Sequence, residues 1–180
     1  MKKRKDNSKS KKTGIDGLEL KDIILGGQDG VVNVLGLVLG VAAATNTTKI
    51  VLISGLAATF AESISMAAVA YTSTKAAKQY YLSRKTKIPK EDNSPAHSTI
   101  VVGLSSFIGS LIPLLPFFFF SVSTSIILSL IISVLVLYIV GYQKAKITIG
   151  NPVKEGIQLS LIGISAAIVG YLIGFLLGKI

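Results

Sequence analysis

Ile23-Ile-Leu-Gly-Gly-Gln-Asp-Gly-Val-Val-Asn-Val-Leu-Gly-Leu-Val-Leu-Gly-Val-Ala-Ala43 is long and apolar enough to cross a bilayer, yet it carries Asp29 near its start. Roughly 20 apolar residues cover the ~30 Å of hydrocarbon in a membrane. An ionisable side chain inside such a segment is costly, and by default it marks a functional site. The next apolar run repeats the feature: Ala61-Glu-Ser-Ile-Ser-Met66 sets Glu62 one helical turn before Met66. Two intramembrane carboxylates beside a thioether describe a path for a cation.

The rest of the chain is built the same way. It has 180 residues, of which 50% are hydrophobic and 16% charged, a balance that places it among polytopic membrane proteins. Five spans are predicted, at about 23–43, 50–72, 99–120, 123–142 and 157–177, giving an all-α membrane protein. What lies between them is too short for a separate soluble core. Residues 1–14 read as a basic, disordered cytoplasmic tail held near anionic headgroups, with no cleavable signal peptide. Residues 15–180 read as one five-span domain.

A net charge of +10 suggests nucleic acid in a soluble chain, but the placement of the charge decides against that partner. Seventeen of the 19 Lys and Arg residues fall before span one, between spans two and three, or between spans four and five; Lys49 and Lys179 fall on the other side. The positive-inside rule then predicts a cytoplasmic N-terminus and an external C-terminus. An odd number of spans fits that split. With no cysteine, disulfides, iron–sulfur clusters and thiolate metal sites are excluded.

Residues 13–22 form a short amphipathic lead-in to span one. Glu19, Asp22 and Asp29 stand at i, i+3 and i+10, close to one helical face, so they can form a staircase of carboxylates rising from the cytosol. Alternatively, Glu19 and Asp22 are solvated acids favoured by the helix N-terminus. Span two runs back towards the cytoplasm. Asp29 lies roughly 9 Å past Ile23 and Glu62 roughly 15 Å before Thr72 at ~1.5 Å per residue, which puts the two at comparable depth. Met66 falls between them and the inner surface. Beyond span two, basic residues extend the helix into a turn-rich linker, residues 88–97, that holds His97. Pro113 and Pro116 predict a kink or an early stop in span three. Small residues at 163, 167, 170, 174 and 178 predict a close-packing stripe on span five, and Gly36 and Gly40 on span one permit close approach of a partner subunit.

No Lys, Arg or His lies within the five spans. The buried acids must then meet a mobile cation, water or a proton; otherwise they are neutral structural groups bonded to nearby backbone. Metal binding requires deprotonated ligands and so displaces protons, which joins the first and third options in a proton-coupled exchanger. Oxygen ligands with a thioether favour ferrous iron or manganese over calcium. Met66 also reads as a packing residue. Asn33, Ser63 and Ser65 can add neutral oxygens or tie helices together. Enzymatic readings fail, because the single histidine lies in a polar linker and the glycines of Gly26-Gly-Gln-Asp-Gly30 lack a Walker lysine. No cofactor is expected; the metal is cargo. Symmetry supplies the ligands that a lone Asp29 lacks, so a homodimer with its axis near span one is expected.

Lys21-Asp-Ile-Ile-Leu-Gly-Gly-Gln-Asp-Gly-Val-Val32 resembles the first-span pattern of the vacuolar iron transporter (VIT1/CCC1-like) family. Leu39-Gly-Val-Ala-Ala-Ala44, Ile64-Ser-Met-Ala-Ala68, Ser106-Phe-Ile-Gly-Ser-Leu-Ile-Pro-Leu-Leu-Pro-Phe117 and the stretch from Gly156 to Gly178 extend the likeness over all five spans. The resemblance implies a homodimer of five-span subunits that exports ferrous iron, often also manganese, from the cytoplasm in exchange for protons. It implies Asp29 and Met66 as mid-membrane metal positions and Asp22 as an acidic position nearer the cytosol. Glu62 is matched less closely. Where relatives continue Ser-Met-Ala-Ala with Gly-Glu-Tyr, this chain has Val69-Ala70-Tyr71, so an acid is missing for which Glu62 can compensate. The long acidic, metal-collecting helices that some relatives carry between spans two and three are replaced by a linker holding only Glu91 and Asp92. The expected site is therefore Asp22, Asp29, Glu62 and Met66, in a cell membrane or a vacuolar-type membrane. Two other readings stay open: a non-transporting assembly or regulatory subunit, and a transporter of the same architecture for another solute.

Overall fold

The structure, a computed structural model, describes residues 17–84 and 94–179. The expected basic tail, 1–14, and the acids of the linker, Glu91 and Asp92, lie outside the described residues. Five helices account for nearly all of the rest: α1 (Gly17–Thr45), α2 (Thr48–Ser83), α3 (Pro95–Phe119), α4 (Val122–Ile147) and α5 (Pro152–Leu177). Each is long and apolar enough to cross a membrane.

The ends of the helices follow from local chemistry. Between α1 and α2 the chain reverses through Asn46, which adopts a left-handed φ of 47°, a conformation that asparagine tolerates better than most residues. α3 begins at Pro95, and its N-cap Ser94 accepts from the backbone N–H of His97. His97 is therefore part of the first turn of α3 and not of a linker. The N-cap Asn151 of α5 accepts from Val153 and Lys154. α3 also continues through Pro113 and Pro116 to Phe119 instead of stopping early. Ser129 of α4 donates to the Pro113 carbonyl at 2.7 Å, and Ser125 donates to that of Pro116 at 3.0 Å. These hydroxyls tie α4 to the proline-bearing end of α3 through added bonds to its backbone.

α1 is the central helix and touches all four others. Val34, Val38 and Ala42 pack with Val51, Leu114, Phe117 and Val122. Val31 packs with Leu137 and Leu159, while Leu35 and Leu39 pack with Ala167. The close-packing stripe of α5 meets α1: Gly170 and Gly174 lie against the carbonyls of Gly36 and Gly40, where a Cβ would collide. This contact corrects the expectation that Gly36 and Gly40 serve a partner subunit; within one subunit they are already used by α5. Gly163 faces Leu137 of α4.

α2 is more peripheral. It buries Val51, Gly55, Thr59 and Ala70 against α1 and α3, while Ile53, Phe60, Ile64 and Val69 stay exposed as on a lipid-facing surface. Phe60 and Phe107 join it to α3, with ring centroids 5.3 Å apart. One stripe in the middle of α1 is left uncovered: Asn33 and Leu37 are exposed and Asp29 is half-buried.

Candidate metal site

The uncovered stripe of α1 meets α2 at a set of polar side chains. Asn33 stands one turn after Asp29, so the two share a face. Its Nδ2 donates to Oε1 of Glu62 at 3.0 Å, tying α1 to α2. The Asp29 carboxyl faces both Glu62 and Asn33. The two half-buried acids that the sequence sets at similar depth thus come together across the helix pair. Met66 is half-buried one turn further along α2, on the same helical face as Glu62.

Asp22 belongs to a different place. It is 6% exposed and lines a cavity of about 140 Å³ with Lys21, Ser73, Thr74 and Ser98, among others. Its Oδ2 has no hydrogen-bond partner among the described residues. The cavity lies between the lower ends of α1, α2 and α3 and does not include Asp29. Among the described residues, no group of three or more His, Cys, Asp and Glu side chains could hold a metal ion. The staircase expected from helical spacing is therefore two separate stations, a carboxylate pair at mid-helix and a single buried carboxylate about ten ångströms below, given ~1.5 Å per residue.

Sequence reasoning offered Asn33 either as a neutral oxygen ligand or as a tie between helices. The structure has it in the second role, its nitrogen donating to Glu62. The hydroxyls of Ser73, Thr74 and Ser98 around Asp22 were not foreseen. Ser73 and Thr74 come from α2 and Ser98 from α3, and Gly26 and Gly30 let α3 come so near α1 that a Cβ on either would meet its backbone.

A pair of carboxylates on one side and a thioether below is a donor set suited to a divalent first-row cation, with the negative charge needed to balance it. The α4–α5 end is different in kind. Lys144 and Glu155 form an ion pair at 2.8 Å, each about one-third exposed, that clasps the two helices.

The model of the VIT family matches residues 20–93 and 82–175 of the chain, a range that takes in every helix described above. The chain belongs to the VIT family. It is a multi-pass integral membrane protein. An uncharacterized protein of Methanocaldococcus jannaschii is 27% identical to it over 165 residues, covering 84% of this chain and 86% of the archaeal one. Vacuolar iron transporter 1 of Tulipa gesneriana is 23% identical over 209 residues, covering 84% of each. Protein CCC1 of Saccharomyces cerevisiae is 35% identical over 83 residues, but these are 42% of this chain and 26% of the yeast protein. The 209 aligned positions exceed the 180 residues of this chain, so the tulip protein has residues with no counterpart here. The two stretches matched by the family model meet at residues 82–93, the α2–α3 connection.

Proposed function

We propose that this VIT-family protein moves divalent metal, ferrous iron or manganese, out of the cytoplasm in exchange for protons. The observation that carries the reading is the meeting of Asp29 and Glu62 across α1 and α2, with Asn33 donating to Glu62 and no Lys, Arg or His in the five apolar spans to neutralise them. A fixed pair of acids without a fixed cation is balanced by a mobile one, either metal or proton. Relatives named as vacuolar iron transporters support metal as the cargo. Transport of an ion calls for no bond-making on a substrate, so the reading is of a transporter and not an enzyme.

In this account Asp29, Glu62 and Met66 hold the metal, and Asp22 receives it on the cytoplasmic side. The cytoplasmic placement of the N-terminus rests on the distribution of basic residues. The exposed Asn33 and half-buried acids facing outward from α1 and α2 support a second copy on this face, because polar groups turned to lipid are costly. A homodimer closing here doubles the ligands around a two-fold axis. The short α2–α3 connection makes this a transporter without a long metal-collecting segment.

The test is uptake by the purified chain alone in liposomes, with a metal-sensing and a pH-sensing dye. The reading predicts metal movement with opposing proton flux. Absence of metal movement in correctly folded protein would point instead to an assembly or regulatory subunit.

A further inference from the structure

Asn33 is engaged through the wrong end of its amide to bind a metal. A side-chain amide carries two N–H donors and one carbonyl acceptor; only the carbonyl oxygen can ligate a cation. Here the Nδ2 group points at the acids, bonding Glu62 at 3.0 Å with Asp29 alongside. Its two hydrogens suit two carboxylates. A divalent ion arriving between those carboxylates meets the positive end of the amide dipole.

We propose that Asn33 exchanges with the cargo: its amide nitrogen holds Asp29 and Glu62 together while the site is empty, and the amide turns over to offer Oδ1 when the metal arrives. The inference rests on the metal-site reading of Asp29 and Glu62 given above. The turn is a rotation about a terminal sp³–sp² bond, a broad and roughly two-fold torsion that needs no backbone movement. Asn33 is exposed on the uncovered stripe of α1, so no packed side chain within the subunit blocks it. The exchange has two consequences. The empty acids keep a hydrogen-bonded partner, and the filled site gains a neutral oxygen without a third negative charge. A neutral ligand leaves the charge around the ion to the carboxylates alone, and a further negative charge would hold the ion more firmly and slow its release. Asn33 is in this sense a positioning residue in the empty state and a specificity-determining ligand in the filled one.

The test uses the full-length protein with Mn²⁺ as the probe and combines transport kinetics with infrared difference spectra of protein labelled with ¹³C at the asparagine side-chain carbonyl. Addition of Mn²⁺ should shift one labelled carbonyl band, and the shift should vanish in Asn33→Leu. Loss of both roles in Asn33→Leu should raise KM for Mn²⁺ by about 10–100-fold, as for partners that orient metal ligands. Asn33→Thr, whose hydroxyl can donate or accept, should restore most of the affinity. Asn33→Asp should instead leave KM at or below the wild-type value and slow the maximal rate by about tenfold, a split that follows from over-tight holding. An unmoved carbonyl band, or a wild-type KM in Asn33→Leu, overturns the proposal, as does an equal effect of Leu and Asp on KM. Asp29→Asn is measured alongside. If it transports as the wild type does, the metal-site reading itself fails; if it is inactive while the Asn33 variants and band are indifferent, only the amide exchange fails.

Discussion

Gly174 faces the carbonyl oxygen of Gly40 so closely that a Cβ at position 174 would collide with it. This contact and its neighbour between Gly170 and Gly36 bring α5 and α1 together backbone to backbone, in the manner of small-residue packing in membranes. The uncovered stripe bearing Asp29 and Asn33 is what remains of α1 once α5 has taken the glycine face.

Gly174→Val should therefore destabilise the protein by about 1–3 kcal/mol or more, the usual cost of forcing atoms into a packed contact. Thermal unfolding in detergent measures it. Gly17→Ala is the control, because a Cβ there meets nothing within 4 Å. Equal stability of Gly174→Val and the wild type would contradict the α1–α5 packing.

Met66→Leu keeps volume but removes the soft donor, so it should lower ferrous iron transport more than manganese transport. Parallel uptake assays with the two ions check this. Glu62→Gln should be intermediate between wild type and an Asp29 variant, since one carboxylate of the pair remains. An equal loss for both ions in Met66→Leu would make Met66 a packing residue.

Asp22→Asn should raise KM for metal while leaving the maximal rate near that of the wild type. Asp22 lines its own cavity with Ser73, Thr74 and Ser98 and stands apart from the carboxylate pair, so it acts on arrival and not on passage. Initial-rate measurements over a range of metal concentrations separate the two effects. A collapse of the maximal rate would make Asp22 part of the transport step.

Glu155→Gln should change stability by no more than about 1 kcal/mol, because its partner Lys144 and Glu155 itself are both partly solvated. Transport should be unaffected. Denaturation midpoints and uptake by the same preparation test both statements.

Hydrophobic length was sufficient to find all five helices, because a stretch able to cross the membrane can hardly be anything else. Comparable depth makes a meeting of Asp29 and Glu62 possible, since depth is counted along two rods that reverse at a tight turn, and the facing of the two helices completes it. Helical periodicity does not say which neighbour a face meets. Gly36 and Gly40 were assigned to a partner subunit, whereas α5 occupies them. Asp22 and Asp29 share a face by spacing, but residues of α2 and α3 enclose the first in a cavity, while the second is half-buried beside the exposed Asn33. His97 looks like linker because Pro95 reads as a breaker, whereas Pro95 is the first residue of a capped helix and His97 lies in its first turn. The prolines of α3 do not end the helix, and Ser125 and Ser129 of α4 donate to their carbonyls, a match visible only once the two helices are paired.

The most direct test of the account is transport by Asp29→Asn in proteoliposomes carrying an internal pH dye, at protein levels matched to the wild type. The substitution keeps the size of the side chain and removes the anion that must both hold the metal and take up a proton. The account predicts that metal uptake and the accompanying proton flux are lost together. Undiminished movement of both would make the buried carboxylate structural and contradict the mechanism.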